Sequence, residues 1–304
     1  MGIVVFGAVF VDIKGYPLAQ YIPGGRNVGR VVQTHGGVSR NVAEDIANVE
    51  LHPTFVSVVD NTGVGDDVVN KLRKEGVDTR YISRTPDGLG TWLAVFDNNG
   101  DVVASISKRP DLSMVAEIMK QFGDQIISNC DSIVVEIDMD EELLDPIFSL
   151  AEKYDKRIYA VVSNMSIAME RRDYLSRVSC FVCNEQEAGL LFSQEYEGLP
   201  IEEFEQVLLK RVQQAKIDKM VVTLGERGAI YVEKDGKHGY TPPQKVDIID
   251  TTGCGDAFFA GVAIGLTYGK DLAEACSIGT RIASVVIATN ESVCPHFQPA
   301  EFNL

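Results

Sequence analysis

Asp250-Thr251-Thr252-Gly253-Cys254-Gly255-Asp256-Ala257-Phe258-Phe259-Ala260-Gly261 decides how this chain of 304 residues is read. It follows an apolar segment ending in Ile248-Ile249 and opens a run, Ala257 to Leu266, with no charge and with small residues where helices pack closely. The pattern predicts a strand end, a glycine turn and a buried helix. Gly253 and Gly255 permit a sharp turn on which successive backbone N–H groups converge. The helix that follows adds its unpaired N-terminal donors and the positive end of its dipole. Such a corner binds an anion. A phosphate there would repel the Asp256 carboxylate, so Asp256 is expected to face the group that attacks the phosphate, and a hydroxyl fits that role. A plain helix-capping turn is the competing reading, and a glycine pair alone would not displace it.

The full string is more specific than its glycines. Asp-Thr-Thr-Gly-Cys-Gly-Asp-Ala-Phe resembles the C-terminal signature of the ribokinase (PfkB-type) carbohydrate kinases, which phosphorylate sugars and nucleosides. The fold class implied is α/β and ribokinase-like: a mostly parallel central sheet with helices on both faces and a small β-sheet lid. Residues 1–304 would form a single such domain, with lid segments at about 14–35 and 90–108.

Composition is that of an ordinary globular protein. With 45% hydrophobic residues the chain can bury a large core. Lys and Arg number 28 against 44 Asp and Glu, for a net charge of −16. No basic cluster is present, so neither nucleic acid nor an anionic membrane is an expected partner. No signal-like leader or bilayer-length apolar run is seen, and a cytoplasmic location is the expectation. Six cysteines are too few for a disulfide scaffold, and reduced, buried thiols are expected ahead of a metal site at Cys180-x-x-Cys183.

Along the chain, Gly2-Ile-Val-Val-Phe6 reads as a central parallel strand buried on both faces. Asp12 follows shortly after, where ligands collect beyond parallel strand ends; an ordinary turn aspartate is the alternative. Residues 14 to 35 read as small strands outside the main sheet. Thr91 to Phe96, the turn Asp97-Asn98-Asn99-Gly100, and Asp101 to Ser107 read as a hairpin. Neither piece is stable alone, so the two are expected to pair into one small sheet. Strand-like runs at 54–59, 132–135, 158–162, 180–183 and 220–224 alternate with helical segments, among them 66–75 and 201–214, which predicts a parallel sheet covered on both faces.

Between the lid pieces, Gly36-Gly37-Val38-Ser39-Arg40-Asn41 leads into a helix with Val42, Ile46 and Val49 on its apolar face. Asn41 near a helix start is commonly a cap. The family resemblance, through Gly-Gly-x-x-x-Asn, instead implies that Gly36, Gly37 and Asn41, with Asp12, bind substrate hydroxyls. Asn184 and Glu187 match the family's Asn-x-x-Glu, implying Mg²⁺ and phosphate held through water. Hard oxygen ligands suit that ion, although a helix start with dipole-compensating acids reads the same way. Thr223-Leu224-Gly225-x-x-Gly228 resembles the ATP-binding segment, implicating Thr223, Gly225 and Gly228. Asn290 falls where family members close over adenine. Asp250 and Thr252 resemble positions that bind a monovalent cation, so K⁺ is a further candidate beside ATP and Mg²⁺. These motifs occur in family order over nearly the whole chain. One departure stands at Val162-Ser163-Asn164, where many members have Asp-Pro.

The implied mechanism is direct transfer of the ATP γ-phosphoryl group to a hydroxymethyl oxygen. Asp256 would accept the proton, and the backbone of Gly253, Cys254, Gly255 and Asp256 would cradle the phosphate. A dehydrogenase reading fails because Gly63-Val64-Gly65 lacks a third glycine, and no Walker-type string occurs. A non-catalytic sugar- or nucleotide-sensing protein is the alternative of another class. Arg40 directly before Asn41, with Val11-Asp12-Ile13-Lys14-Gly15-Tyr16 upstream, looks more like the pseudouridine kinases than the ribokinases or fructokinases. A ribofuranosyl nucleoside is therefore favoured over a free sugar. Arg40 alternatively only pairs with a neighbouring acid. The thin lid sheet leaves an apolar face uncovered, with Trp92, Val95 and Ile106 as its candidates, and a homodimer through the lid is expected.

Overall fold

Ile3-Val4-Val5-Phe6 is apolar at every position because both its faces are covered. Ile3 and Val5 pack in one hydrophobic core, Val4 and Phe6 in another on the opposite side of the sheet. The structure is a computed structural model describing residues 2–304. Its strands are β1 Ile3–Phe6, β2 Phe10–Pro17, β3 Gly29–Gly36, β4 Thr54–Val59, β5 Ile82–Arg84, β6 Gly90–Phe96 and β7 Val102–Lys108. There follow β8 Ser132–Glu136, β9 Arg157–Val161, β10 Cys180–Asn184, β11 Lys219–Thr223, β12 Ala229–Glu233 and β13 His238–Thr241.

Nine strands form the main sheet in the order β13-β12-β11-β10-β9-β8-β1-β4-β5. From β11 to β5 every pairing is parallel, while β12 and β13 form an antiparallel hairpin on one edge. The alternation of strand and helix predicts the parallel part but not that hairpin. Helices Val38–Asn48, Gly63–Lys74, Cys254–Thr267 and Leu272–Val286 cover one face; Ser113–Asn129, Glu141–Lys153, Glu185–Phe192 and Ile201–Ala215 cover the other. Burial on both faces is why the strands lack polar alternation. It also separates Cys180 from Cys183, which lie in opposite cores and cannot share a metal.

A separate sheet of four strands has the order β3-β2-β6-β7. Asp12 belongs to it, paired with Thr34 on β3 and Trp92 on β6, so it rides on the small sheet and not on a turn after β1. Side chains on paired strands alternate in phase. Asp12, Lys14 and Tyr16 therefore share a face with Trp92, Ala94 and Phe96, while Ile13, Leu93 and Val95 point the other way. Trp92 thus lies on the face opposite Val95 and Ile106, a correction to the grouping of the three; residues 92 and 95 differ by an odd number. The Lys14 ammonium reaches Thr252 on the main body, which identifies the Asp12 face as the inner one. No helix among the described residues is long and apolar enough to cross a membrane.

Candidate active site

The corner after Thr252 is shaped by one glycine and left open by the other. Gly253 caps the Cys254–Thr267 helix with φ 81°, and a Cβ there would fall 2.0 Å from the Ser292 carbonyl oxygen. No other residue type fits. Gly255 differs: its backbone is ordinary helix, and a Cβ would meet nothing within 4 Å. Its smallness keeps clear the space in front of the helix N-terminus, so only one of the two glycines is needed for the turn itself. The helix behind is immobilised by close packing, since a Cβ on Gly261 would fall 2.6 Å from Gly279 Cα of the neighbouring helix.

Asp256 lies in the first helical turn, half-buried, and its Oδ2 accepts a hydrogen bond from Asn41 Nδ2 at 2.6 Å. Burial raises the Asp256 carboxyl to about 6, with Asp12 and Glu187 adding repulsion and the Asn41 bond and Arg40 opposing them. Asn41 is not the cap of its helix. That position is Gly37, with φ 98°, where a Cβ would fall 2.8 Å from the Ala8 carbonyl oxygen. The Asn41 side chain instead projects to Asp256, and its Oδ1 is buried without a protein partner. A buried orphan acceptor is rare and marks a place for a ligand donor. Gly36 makes room for Asp12, because a Cβ there would fall 2.6 Å from both carboxylate oxygens. Desolvation raises the Asp12 carboxyl, with Lys14 and Arg40 pulling it back.

Arg40 pairs with Glu44 at 2.5 Å and also donates to the carbonyls of His35 and Gly36. Lys71 holds the other Glu44 oxygen at 2.9 Å. Arg40 thus braces the helix start and contributes positive potential from behind.

Asn184 and Thr223 are register partners at the ends of β10 and β11. Asn184 and Glu187 form a reciprocal capping box: Glu187 N donates to Asn184 Oδ1 at 2.9 Å, and Asn184 N to Glu187 Oε2 at 2.7 Å. The helix-start reading of this pair is realised, and one Glu187 oxygen stays uncommitted. Its carboxyl is raised by burial and by the charge of Asp138. A single carboxylate oxygen beside a like charge fits a hydrated Mg²⁺, which keeps most of its waters and takes few protein ligands. No group of three or more His, Cys, Asp or Glu residues forms a direct metal cage among the described residues. Gly225 has φ 58° with open space around its Cβ direction, whereas at Gly228, φ 85°, a Cβ would fall 2.3 Å from the Thr241 carbonyl oxygen. Arg227 ties this turn to Glu185 at 2.6 Å.

Asp250 Oδ1 accepts from Thr252 N at 2.8 Å, and Ile249 N donates to Ile287 O at 2.9 Å, so the 249–252 loop is fastened to the segment after the last long helix. Asn290 lines a cleft of about 290 Å³ with Lys14, Asp250 and Thr252. It thus stands beside the 250–252 loop.

Two acidic residues at the end of β8 escaped the sequence reading. Buried Glu136 accepts from Ala8 N and Ser39 N, and burial with the nearby Asp138 charge raises it to about 7. Asp138 accepts from Ser163 N and Ser163 Oγ at 2.9 and 2.7 Å. The loop lacking Asp-Pro is therefore still anchored at the site. Acidic residues at the end of a central parallel strand are a legible signal.

The sequence profile of the pfkB family carbohydrate kinases matches residues 2–295. The guanosine-inosine kinase of Exiguobacterium acetylicum is 33% identical over 95% of this chain and 95% of its own length. The pseudouridine kinase of Escherichia coli is 24% identical over 94% and 90%. The fold superposes on Arabidopsis thaliana ribokinase complexed with ribose and ATP with a TM-score of 0.86, at 19% identity, covering 97% of this chain and 96% of that one. The chain belongs to the pfkB family of carbohydrate kinases and is an ATP-dependent kinase of sugars or nucleosides.

Proposed function

We propose that the enzyme phosphorylates the 5′-hydroxyl of a ribonucleoside, with guanosine and inosine ahead of pseudouridine. The observation carrying this reading is the register of the small sheet. Trp92 lies beside Asp12 on the inner face, and Phe96 follows, stacked on Tyr16 at 4.8 Å and edge-on to Trp92 at 6.4 Å. A free sugar needs partners for its hydroxyls alone, whereas a nucleobase gains from a flat apolar surface beside them. The order of candidates follows the 33% identical relative; the Gly-Gly-Val-Ser-Arg-Asn-Val-Ala stretch and the pseudouridine kinase relative support the second.

In this reading Asp12 accepts from two adjacent ribose hydroxyls, and the orphan Asn41 Oδ1 accepts from one of them. The 5′-hydroxyl then faces Asp256, which takes its proton as the new P–O bond forms. The N–H groups from Gly253 to Asp256 hold the phosphoryl oxygens, and the open space over Gly255 is where they lie. Because the transition state is loose, a weakly basic carboxylate suffices and positioning supplies most of the rate. Thr223 and Gly225 approach the nucleotide. Mg²⁺, held through water by Asn184 and Glu187, neutralises phosphate charge when bound. The backbone around Asp250 and Thr252 is the candidate seat of a monovalent cation. The small sheet serves as a lid over the cleft within one domain spanning residues 1–304.

The test is kcat/KM with ATP for inosine, guanosine, pseudouridine, ribose and fructose. A nucleoside is expected to exceed ribose by at least about 10²-fold, since a site built around a base loses transition-state binding without it. Ribose or fructose as the better substrate would overturn the nucleoside assignment. Trp92→Ala is expected to raise the nucleoside KM and leave the ATP KM unchanged.

A further inference from the structure

We propose that Lys14 is a further catalytic residue, carrying a positive charge from the small sheet to the phosphoryl group during transfer. This rests on the reading of the Gly253 turn as the phosphate site. Lys14 follows Asp12 by two positions on β2 and so shares its inward face. It is only 8% exposed, and its ammonium makes one side-chain hydrogen bond, a long one of 3.4 Å to Thr252 Oγ1. Among the described residues it has no ion-pair partner. Removing an ammonium from water is costly unless an anion or several acceptors replace the lost hydration. No carboxylate holds Lys14 at ion-pair distance among the described residues, Asp12 acting on it only from farther off, so the ammonium has donors free for an anionic ligand.

The position of those donors identifies the anion. Thr252, the residue the Lys14 ammonium reaches, immediately precedes Gly253, the cap of the Cys254–Thr267 helix, so the ammonium sits one residue from the glycine turn. The other cations of the cleft that Lys14 lines are already engaged. Arg40 is held by Glu44 and two carbonyls, and Lys71 by Glu44. Lys14 is the cation left to meet a phosphate.

In the transfer step the bond between the γ-phosphorus and the bridging oxygen breaks, and its electron pair leaves with ADP. The substrate hydroxyl oxygen forms the new bond to phosphorus and gives its proton to Asp256. Lys14 neither gains nor loses a proton. It contributes charge and two or three N–H donors to the equatorial oxygens, on which negative charge is spread in a loose transition state. Since Lys14 is carried by the small sheet while the turn belongs to the main body, transfer would be fast only when the sheet is seated on the cleft.

The experiment measures kcat and both KM values for Lys14→Met, Lys14→Arg and Lys14→Ala with ATP and inosine, or with guanosine if that proves the better substrate, beside Asp256→Asn. Lys14→Met is expected to lose about 10²- to 10³-fold in kcat, the range for removal of one charge-stabilising donor, with both KM values within about threefold. Its thermal midpoint should not fall, because a buried charge has been replaced by an apolar chain of similar length. Lys14→Arg should recover at least about a tenth of the rate, and added ethylammonium should raise the kcat of Lys14→Ala with saturation. An unchanged kcat in a folded Lys14→Met, or a loss confined to the nucleoside KM, would overturn the proposal. If Asp256→Asn is inactive in the same series, that failure concerns Lys14 alone; if Asp256→Asn is also fully active, the reading of the turn itself falls.

Discussion

The Cys254–Thr267 helix and the small sheet face each other across the cleft under opposite constraints. From Ala257 to Leu266 every helix residue is buried, and its glycines lie against the backbone of the next helix. In β7, by contrast, every residue is exposed. The helix has one workable solution at nearly every position, so its sequence is a specific string. The sheet has a largely exposed outer face, and in the proposed reading its inner face answers to the substrate, so its residues are freer to vary. On that reading, reaction class is written in the first region and substrate in the second.

The sharpest test of this contrast is Asp256→Asn, which alters one atom in the constrained region. We expect kcat to fall by about 10²- to 10⁴-fold with ATP affinity retained, as for loss of a positioned general base. In the wild type, kcat/KM should rise tenfold per pH unit below about 6 and level off above, following the carboxyl raised to about 6. The same shift has a stability consequence of definite sign. A carboxyl with a folded pKa above its unfolded one favours the fold while protonated, and that contribution is lost as pH rises through about 6. Asp256→Asn should therefore unfold at a higher temperature than wild type at pH 7.5, with the advantage gone near pH 4. Near-normal turnover by the folded variant would mean that the proton goes elsewhere.

A smaller and more local effect separates the two glycines of the turn. Gly253→Ala must abandon φ 81° and displace Ser292, so both thermal stability and activity should fall. The left-handed conformation alone costs an alanine about 1–2 kcal/mol. Gly255→Ala meets open space and should unfold at the wild-type temperature, yet lose about tenfold in kcat, because the methyl enters the volume assigned to the phosphate. Equal thermal losses in both variants would show that the space over Gly255 is structural.

What the sequence made legible follows the same division. The alternation of strand and helix and the glycine turn were within reach because burial on both faces and a capped helix leave strong local patterns, whereas the hydrogen bond between Asn41 and Asp256 joins residues far apart in sequence and leaves none. Asp12 was placed on the wrong element, since Val9-Phe10-Val11 reads equally as the end of one strand or the start of another until its partners β3 and β6 are known. Glu136 was missed because its acid follows an apolar run without a break. The Asn184–Glu187 pair shows the opposite difficulty. A capping box and a metal-supporting pair need the same residues at the same spacing, and here the box leaves one oxygen uncommitted.

The smallest expected effect on catalysis lies on the outer face of the small sheet, and it separates that sheet's two faces. Register pairs Leu93 with Ile106 and Gly15 with Val31, which places Leu93, Ile106 and Val31 on the side away from Asp12. They are 41%, 71% and 72% exposed, an apolar surface on the part of that face beyond Val11 and Ile13, which pack on the main body. Such a patch favours pairing of two copies, each screening the other from water. Ile106→Lys would set an ammonium in the middle of that contact and should shift the sedimenting species from dimer toward monomer, with kcat and both KM values within about twofold. Trp92→Ala, one strand residue from Leu93 but on the inner face, should do the reverse, raising the nucleoside KM while leaving assembly unchanged. A wild type that sediments as a monomer at assay concentration would remove the dimer and leave the inner face to be judged on substrate alone. An assembly defect in Trp92→Ala would mean that the two faces are not independent, and that closing the cleft and pairing the sheets are one event.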